Sequence, residues 1–153
     1  MKTLFRILLS ICLSANTSFA QSNNSHDGII GTWLVQDGTG KVKIEKINGK
    51  FYGKLVWINN PTDKNGKPAV DSKNPDKALQ NRPLVGLKML ENFTYDSDNV
   101  WTEGTIYDPD SGKTYSCKIT LKNNGKMEVR GYVGISLFGR TDTWTRSQDI
   151  TMK

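Results

Sequence analysis

The chain has 153 residues, a net charge of +6 and only two cysteines, Cys12 and Cys117. That length suits one domain around one core, and two cysteines are too few for a disulfide framework. The basic residues are dispersed along the chain rather than gathered in a run, which argues against a nucleic-acid partner.

Residues 1–20 have the layout of a secretory signal. Lys2 and Arg6 supply the positive start, an apolar run follows over 7–13, and Ser18 and Ala20 stand where a signal peptidase reads small residues. Cleavage after Ala20 is predicted, leaving 153 − 20 = 133 residues for the periplasm or the exterior. The apolar run is far short of the roughly 20 residues of a membrane span. A lipoprotein reading would use Cys12, but bulky Ile11 stands where a small residue is required. Without Lys2 and Arg6, 21 − 2 = 19 basic residues face 15 acids, a net charge of +4. Cys117 is then the sole thiol, so stability must come from the core.

Residues 21–28 are polar and are predicted as a flexible stub. Period-2 alternation then begins, punctuated by turn signals. A strand from about 29 to 36 closes at Asp37-Gly38. "KVKIEKI" puts Val42 and Ile44 on one face, and Asn48-Gly49 after it is a strong hairpin signal. "KFYGKLVWI" returns. A long segment, 59–83, interrupts the pattern. Within it Pro75 predicts a helical turn over 75–81 with Asn74 as N-cap, stopped by Pro83. Strands resume with "LKMLENFTYD", "NVWTEGTIYD", "TYSCKITLK", "KMEVRGYVG" and "GRTDTWTRS". Eight strands joined by tight turns predict an all-β, antiparallel up-and-down barrel over 29–147, with a two-sheet sandwich as the alternative. The long segment is expected to cap one barrel end, with Arg82 its foremost functional side chain.

Several stretches carry resemblances. Gly31-Thr32-Trp33 in the first strand resembles the opening of calycin barrels, the lipocalins and avidins. That likeness implies that a C-terminal arginine, Arg140 or Arg146, covers Trp33 at a closed barrel end. The avidin ligand residues do not carry over, since Val35 stands where an Asn is required. "YGKLVW", "D…NPD", "RPLVGL", "W…G.IYDP.SGKTY", "L…RGYVG" and "LFGRTDTWTR", in that order, resemble a family of secreted bacterial proteins known as domain of unknown function 2147. The resemblance implies an exported β-rich domain and brings no catalytic residues.

Chemistry is constrained by what is scarce. His26, the only histidine, lies in the predicted stub, so no Ser–His or Cys–His pair is expected. One Cys and one His do not make a structural zinc site. Asp63, Asn65 and Asp71 offer oxygens for Ca²⁺, but their spacing departs from an EF-hand loop and an Asn-Gly turn accounts for them. No cofactor is expected. Strict alternation in "NVWTEGTIYD" puts Trp101, Glu103, Thr105 and Tyr107 on one face. If that face is interior, Glu103 is a ligand anchor or general acid beside aromatics; otherwise it is a solvated acid or the ion-pair partner of Arg130.

Three functions remain open. The first is a non-enzymatic barrel binding a small molecule or envelope component at its mouth through Trp57, Arg82, Trp101, Glu103 and Tyr107. The second is a protein-interaction or homo-oligomeric module using the apolar tip of residues 131–140, with Ile135, Leu137 and Phe138 at its centre. That tip either plugs a barrel end or forms an exposed patch. The third is a carboxylate-dependent hydrolase, with Asp76 or Asp108 as the second acid. An eight-stranded interior is wide enough either to be packed or to hold one small ligand.

Overall fold

The computed structural model describes residues 25–148. The predicted signal segment and its predicted cleavage site lie outside that range. Eight strands follow in order: β1 (Gly31–Leu34), β2 (Gly40–Ile47), β3 (Lys50–Ile58), β4 (Lys88–Tyr95), β5 (Val100–Asp108), β6 (Lys113–Leu121), β7 (Met127–Tyr132) and β8 (Gly139–Ser147). Each pairs antiparallel with the next, and β8 returns to β1. The sheet is therefore a closed barrel rather than a sandwich, and no strand edge is left exposed.

Side chains fill the interior from one end. Phe51 meets Trp101 edge-on, and Tyr95 packs against Trp101 at 5.2 Å between ring centroids. Above them lie Val42, Leu90, Phe93, Cys117, Ile119, Val129 and Trp144, all buried. Burying a large apolar side chain contributes about 1.5–3 kcal/mol, so this layer is the main source of stability in a domain without a disulfide.

The end beneath these layers is closed. The Trp33 indole donates to the Ile29 carbonyl at 2.8 Å. The Arg146 guanidinium lies 4.2 Å from the Trp33 ring centre and donates to the carbonyls of Ile30 and Gly28. Of the two arginines expected for this contact, Arg146 makes it, and Arg140 sits at the other end of β8. Gly31 has φ +123°, and a Cβ there would lie 2.7 Å from the Arg146 guanidinium, so glycine lets the cation pass. Residues 25–28, expected as part of a flexible stub, complete the closure. They form a 3-10 turn, Ser25–Asp27, with His26 stacked on Tyr95 and its carbonyl accepting from the Trp101 indole.

One irregularity sets which side chains reach the other end. β4 and β5 stay in register with each other, but β5 gains one residue against β6, between Trp101 and Gly104, and β4 gains one against β3 between Phe93 and Leu90 and another between Leu90 and Lys88. Glu103 (φ 60°) and Asn92 (φ 64°) take the left-handed conformation at the first two of these bulges. The phase of β5 therefore changes after Trp101. Gly104, Ile106 and Asp108 point inward, and Thr105 and Tyr107 point out.

The long connection, 59–87, is a strap. It is stitched to β3 by Gly86 N–H to the Leu55 carbonyl and Leu55 N–H to the Leu87 carbonyl. Its helical part is shorter than expected, a 3-10 turn over Lys77–Leu79 capped by Asp76. Asn74 is not the cap, because its side chain is engaged elsewhere. Because Tyr107 points outward, the strap braces the wall beside the barrel mouth instead of covering it, and Leu84 turns inward against the core.

The aromatic core is tight at the β5 bulge. A Cβ on Gly104 would lie 2.4 Å from the Phe93 ring. Gly104→Ala is expected to destabilise the protein by about 1–3 kcal/mol in denaturant unfolding. Phe93→Leu added to it should restore part of that loss, whereas additive losses would mean that the two sites do not touch.

Candidate functional site

Two arrangements stand at the open end, the joint that holds the strap and the cavity beside it. The joint centres on the Asp71 carboxylate, which is fully buried. Tyr107 donates its phenol proton to Oδ1 at 2.6 Å, and Asn74 Nδ2 donates to Oδ2 at 2.8 Å. Arg82 donates to Oδ2 through Nε at 2.9 Å and Nη2 at 2.8 Å. Backbone bonds run alongside, Asp71 N–H to the Arg82 carbonyl and Asn74 N–H to the Asp71 carbonyl. Asn74 Oδ1 also accepts from Asp76 N–H. Burial is the largest single influence on the Asp71 carboxyl and would raise its pKa. The bonds from Tyr107, Asn74 and Arg82 together outweigh it and hold the group below the usual carboxylate range. Burial also pushes the Tyr107 phenol up, with the Asp71 hydrogen bond and charge adding to it.

The cavity opens between the β1–β2 turn, the strap and the upper ends of β3, β5 and β8. One lobe, about 400 Å³, has Leu55, Ile58, Leu84, Met89, Ile106 and Trp144 as its apolar floor. A second lobe, about 510 Å³, runs toward Tyr115, Val129 and Phe138. Both lobes share Ile106 and the rim residues Asp37, Asp108, Asp110, Asp142 and Arg140. These volumes fall within the roughly 300–1,000 Å³ of small-molecule sites. Asp108 and Asp142 reach the rim from the inward faces of β5 and β8, two residues from Ile106 and Trp144. Asp37 accepts from the Thr39 hydroxyl and N–H, which keep its carboxyl below its ordinary pKa.

The five residues expected to form a ligand site are placed in four different regions. Arg82 and Tyr107 come together at the Asp71 joint, 5.7 Å between guanidinium and ring centre. Trp101 is fully buried at the closed end, remote from the mouth. Trp57 is on the outer wall, because the β3 bulge beside Val42 turns it outward, and Lys41 lies 5.5 Å over its ring. Glu103 is exposed on its bulge, so it is not an interior acid. Arg130, its conceivable ion-pair partner, points instead into the β7–β8 tip, donating to the carbonyls of Ser136 and Leu137 and to the Thr141 hydroxyl. The tip does not plug the barrel. Val133, Ile135, Leu137 and Phe138 are 61–74% exposed.

Sequence reading passed over Asp37, Asp110 and Asp142 as rim carboxylates, weighed Asp108 only as a second acid for hydrolysis, and missed the role of Asp71. Asp71 stood in the "D…NPD" signature but was weighed only as a calcium oxygen. Its neighbour in that reading, Asp63, accepts from the N–H groups of Asn65 and Lys67 within its own turn. Among the described residues no cluster of His, Cys, Asp and Glu is arranged to hold a metal ion. Desolvation pushes the Cys117 thiol up to about 12, so it is no nucleophile near neutral pH.

A closed eight-stranded barrel, sealed at one end by a Trp–Arg contact and hollow at the other, is a calycin-type fold. The chain belongs to the uncharacterised family conserved in bacteria, domain of unknown function 2147, whose model matches residues 31–146. It is also similar to a solved structure described as protein HP1028 from the human pathogen Helicobacter pylori, a member of the lipocalin family. The two share 26% identity over 78% of this chain and 83% of that one, with a TM-score of 0.69. No curated protein matches the chain.

The joint makes strap stability dependent on acid. With its folded pKa below the unfolded value near 3.9, Asp71 contributes stability that is complete above about pH 4 and is lost as pH falls further. Tyr107→Phe should cost about 1.5–3 kcal/mol at pH 7. It should also flatten the acid loss, because Asp71 then titrates closer to its unfolded value. Denaturant midpoints measured between pH 7 and pH 3 check both effects.

Proposed function

We propose that this chain is an exported, non-enzymatic barrel that binds a small amphipathic molecule at its open mouth. The observation that supports this reading is the division of the barrel interior. Trp33, Trp101 and Phe51 pack one end solidly, whereas apolar side chains at the other line an open cavity. A domain needing only stability would gain by packing that end too, since unfilled apolar volume costs contacts. The family resemblance and the sequence of residues 1–20 support export, and the similarity to a lipocalin-family protein supports small-molecule binding. The strap then keeps the mouth in shape through the Asp71 joint, which makes Arg82 a supporting residue, while Tyr107 both ties the joint and borders the first lobe.

Gly131 offers a direct test. It lines the second lobe with ordinary strand backbone, and a Cβ there would meet Ile106 at 3.4 Å and Tyr115 at 3.7 Å. Gly131→Phe should fill the lobe with an unchanged fold. The neutral fluorophore N-phenyl-1-naphthylamine is expected to bind the native protein and to lose at least about tenfold in affinity in Gly131→Phe, the loss that about 1.4 kcal/mol produces. Equal binding by the two proteins would remove the mouth as the site.

A second reading is favoured by the exposed β7–β8 tip. Four large apolar side chains on one loop, held in shape by Arg130, suit a protein–protein contact. A photo-crosslinking residue at position 137 should then capture one defined protein in intact cells, and Arg130→Ala should abolish the product. Diffuse or absent crosslinks would count against the tip.

A further inference from the structure

We propose that the mouth cavity selects amphiphiles whose head group is cationic, such as an alkylammonium, over neutral and anionic ones of the same chain. This deepens the small-molecule reading and rests on it. The cavity's depth and its rim differ in chemistry. The floor, from Leu55 and Ile58 to Ile106 and Trp144, offers apolar surface and no charged partner. The rim carries Asp37, Asp108, Asp110 and Asp142 against Arg140, a lining charge of 1 − 4 = −3. The whole chain carries +6. The mouth therefore has the opposite sign to the protein around it.

Two of these acids occupy positions that alternation reserves for apolar side chains. Asp108 is the next inward residue of β5 beyond Ile106, and Asp142 the next inward residue of β8 beyond Trp144. An apolar tail lying on Ile106 and Trp144 thus has its head group at Asp108 and Asp142 without leaving the barrel axis. Asp108 is positioned by the Ser111 hydroxyl at 2.6 Å and by Asp110 N–H at 3.0 Å. Asp37 is positioned by Thr39. Neutral groups hold both carboxylates in place, and of the two only Asp37 also feels the charge of Arg140. Asp142 is the exception, since Arg140 Nε donates to it at 3.0 Å.

Two further cations lie nearby and line neither lobe. Lys73 reaches the Asp110 carbonyl from the strap at 2.6 Å, and Lys113 is the register partner of Asp108. Counting both, the mouth still carries excess negative charge. A cleft with low-dielectric walls focuses such a field on its contents. The same field repels an anionic head, so selection comes from exclusion as much as attraction.

The test uses monomeric decyltrimethylammonium, decanoate and decyl glucoside to displace N-phenyl-1-naphthylamine from the full mature protein at neutral pH. The ammonium compound should compete at least about tenfold more strongly than decanoate in low salt, with the glucoside between them, and the gap should narrow as salt screens the rim. Asp108→Asn with Asp142→Asn should narrow it in low salt. Should that double variant fail to fold, the salt series on the native protein reads the same field. Equal competition by all three, or tighter decanoate, overturns the charge selection and leaves the cavity reading standing. Failure of the naphthylamine and of all three amphiphiles to bind overturns both.

Discussion

A single extra residue in β5 governs the arrangement of both ends of this barrel. Strict alternation from Trp101 would put Glu103, Thr105 and Tyr107 inside. The bulge at Glu103 shifts the phase, so that Trp101 packs the closed end while Gly104, Ile106 and Asp108 face inward above it. Each consequence is physical. Gly104 leaves room for the Phe93 ring. Ile106 becomes floor and Asp108 becomes rim. Tyr107, expelled from the interior, becomes the post to which the strap is tied. The matching bulge at Asn92 in β4 keeps the two strands in the same register on either side of the shift.

The strap depends in turn on burying a charge without stranding it. An isolated buried carboxylate would be driven to neutralise, and Asp71 avoids this by accepting from Tyr107, Asn74 and Arg82 together. Four donor contacts on one carboxylate fix three separate pieces of chain, the middle of the strap, its later part at Arg82 and the outer face of β5. Replacing the joint with apolar contacts would hold these pieces less specifically, because dispersion contacts do not dictate which atom meets which. A connection this long otherwise has many conformations, and the joint selects one of them beside the mouth.

Much of the fold was legible because barrel strands advertise themselves through alternation and turns. The hairpin at Asn48-Gly49 and the inward Val42 and Ile44 of β2 follow from residue type and spacing alone, whereas the Trp33 closure was implied by the resemblance to calycin barrels. The site was far less legible, and for one reason. Period-2 reading assumes an unbroken pleat, and the β3, β4 and β5 bulges break it next to the residues that mattered. Trp57 and Glu103 consequently turn outward, and Asp108, weighed only as a second acid for hydrolysis, was not placed at the mouth. Asn92, a polar residue tolerant of positive φ between Leu90 and Phe93, was a visible sign of slippage. Glu103 gave no such sign, since little about a glutamate marks a left-handed position.

The two ends of the barrel answer opposite demands. At the closed end a cation covers an indole, and its guanidinium satisfies two backbone carbonyls that a barrel floor would otherwise leave open. At the mouth, carboxylates take inward positions where apolar residues would pack more tightly. Acids there lower the barrel's capacity to close on itself, because their desolvation would oppose collapse of the cavity. Rim charge and cavity are therefore linked. The carboxylates help keep the mouth open, and an occupant that neutralises them while burying the apolar floor removes both sources of instability at once.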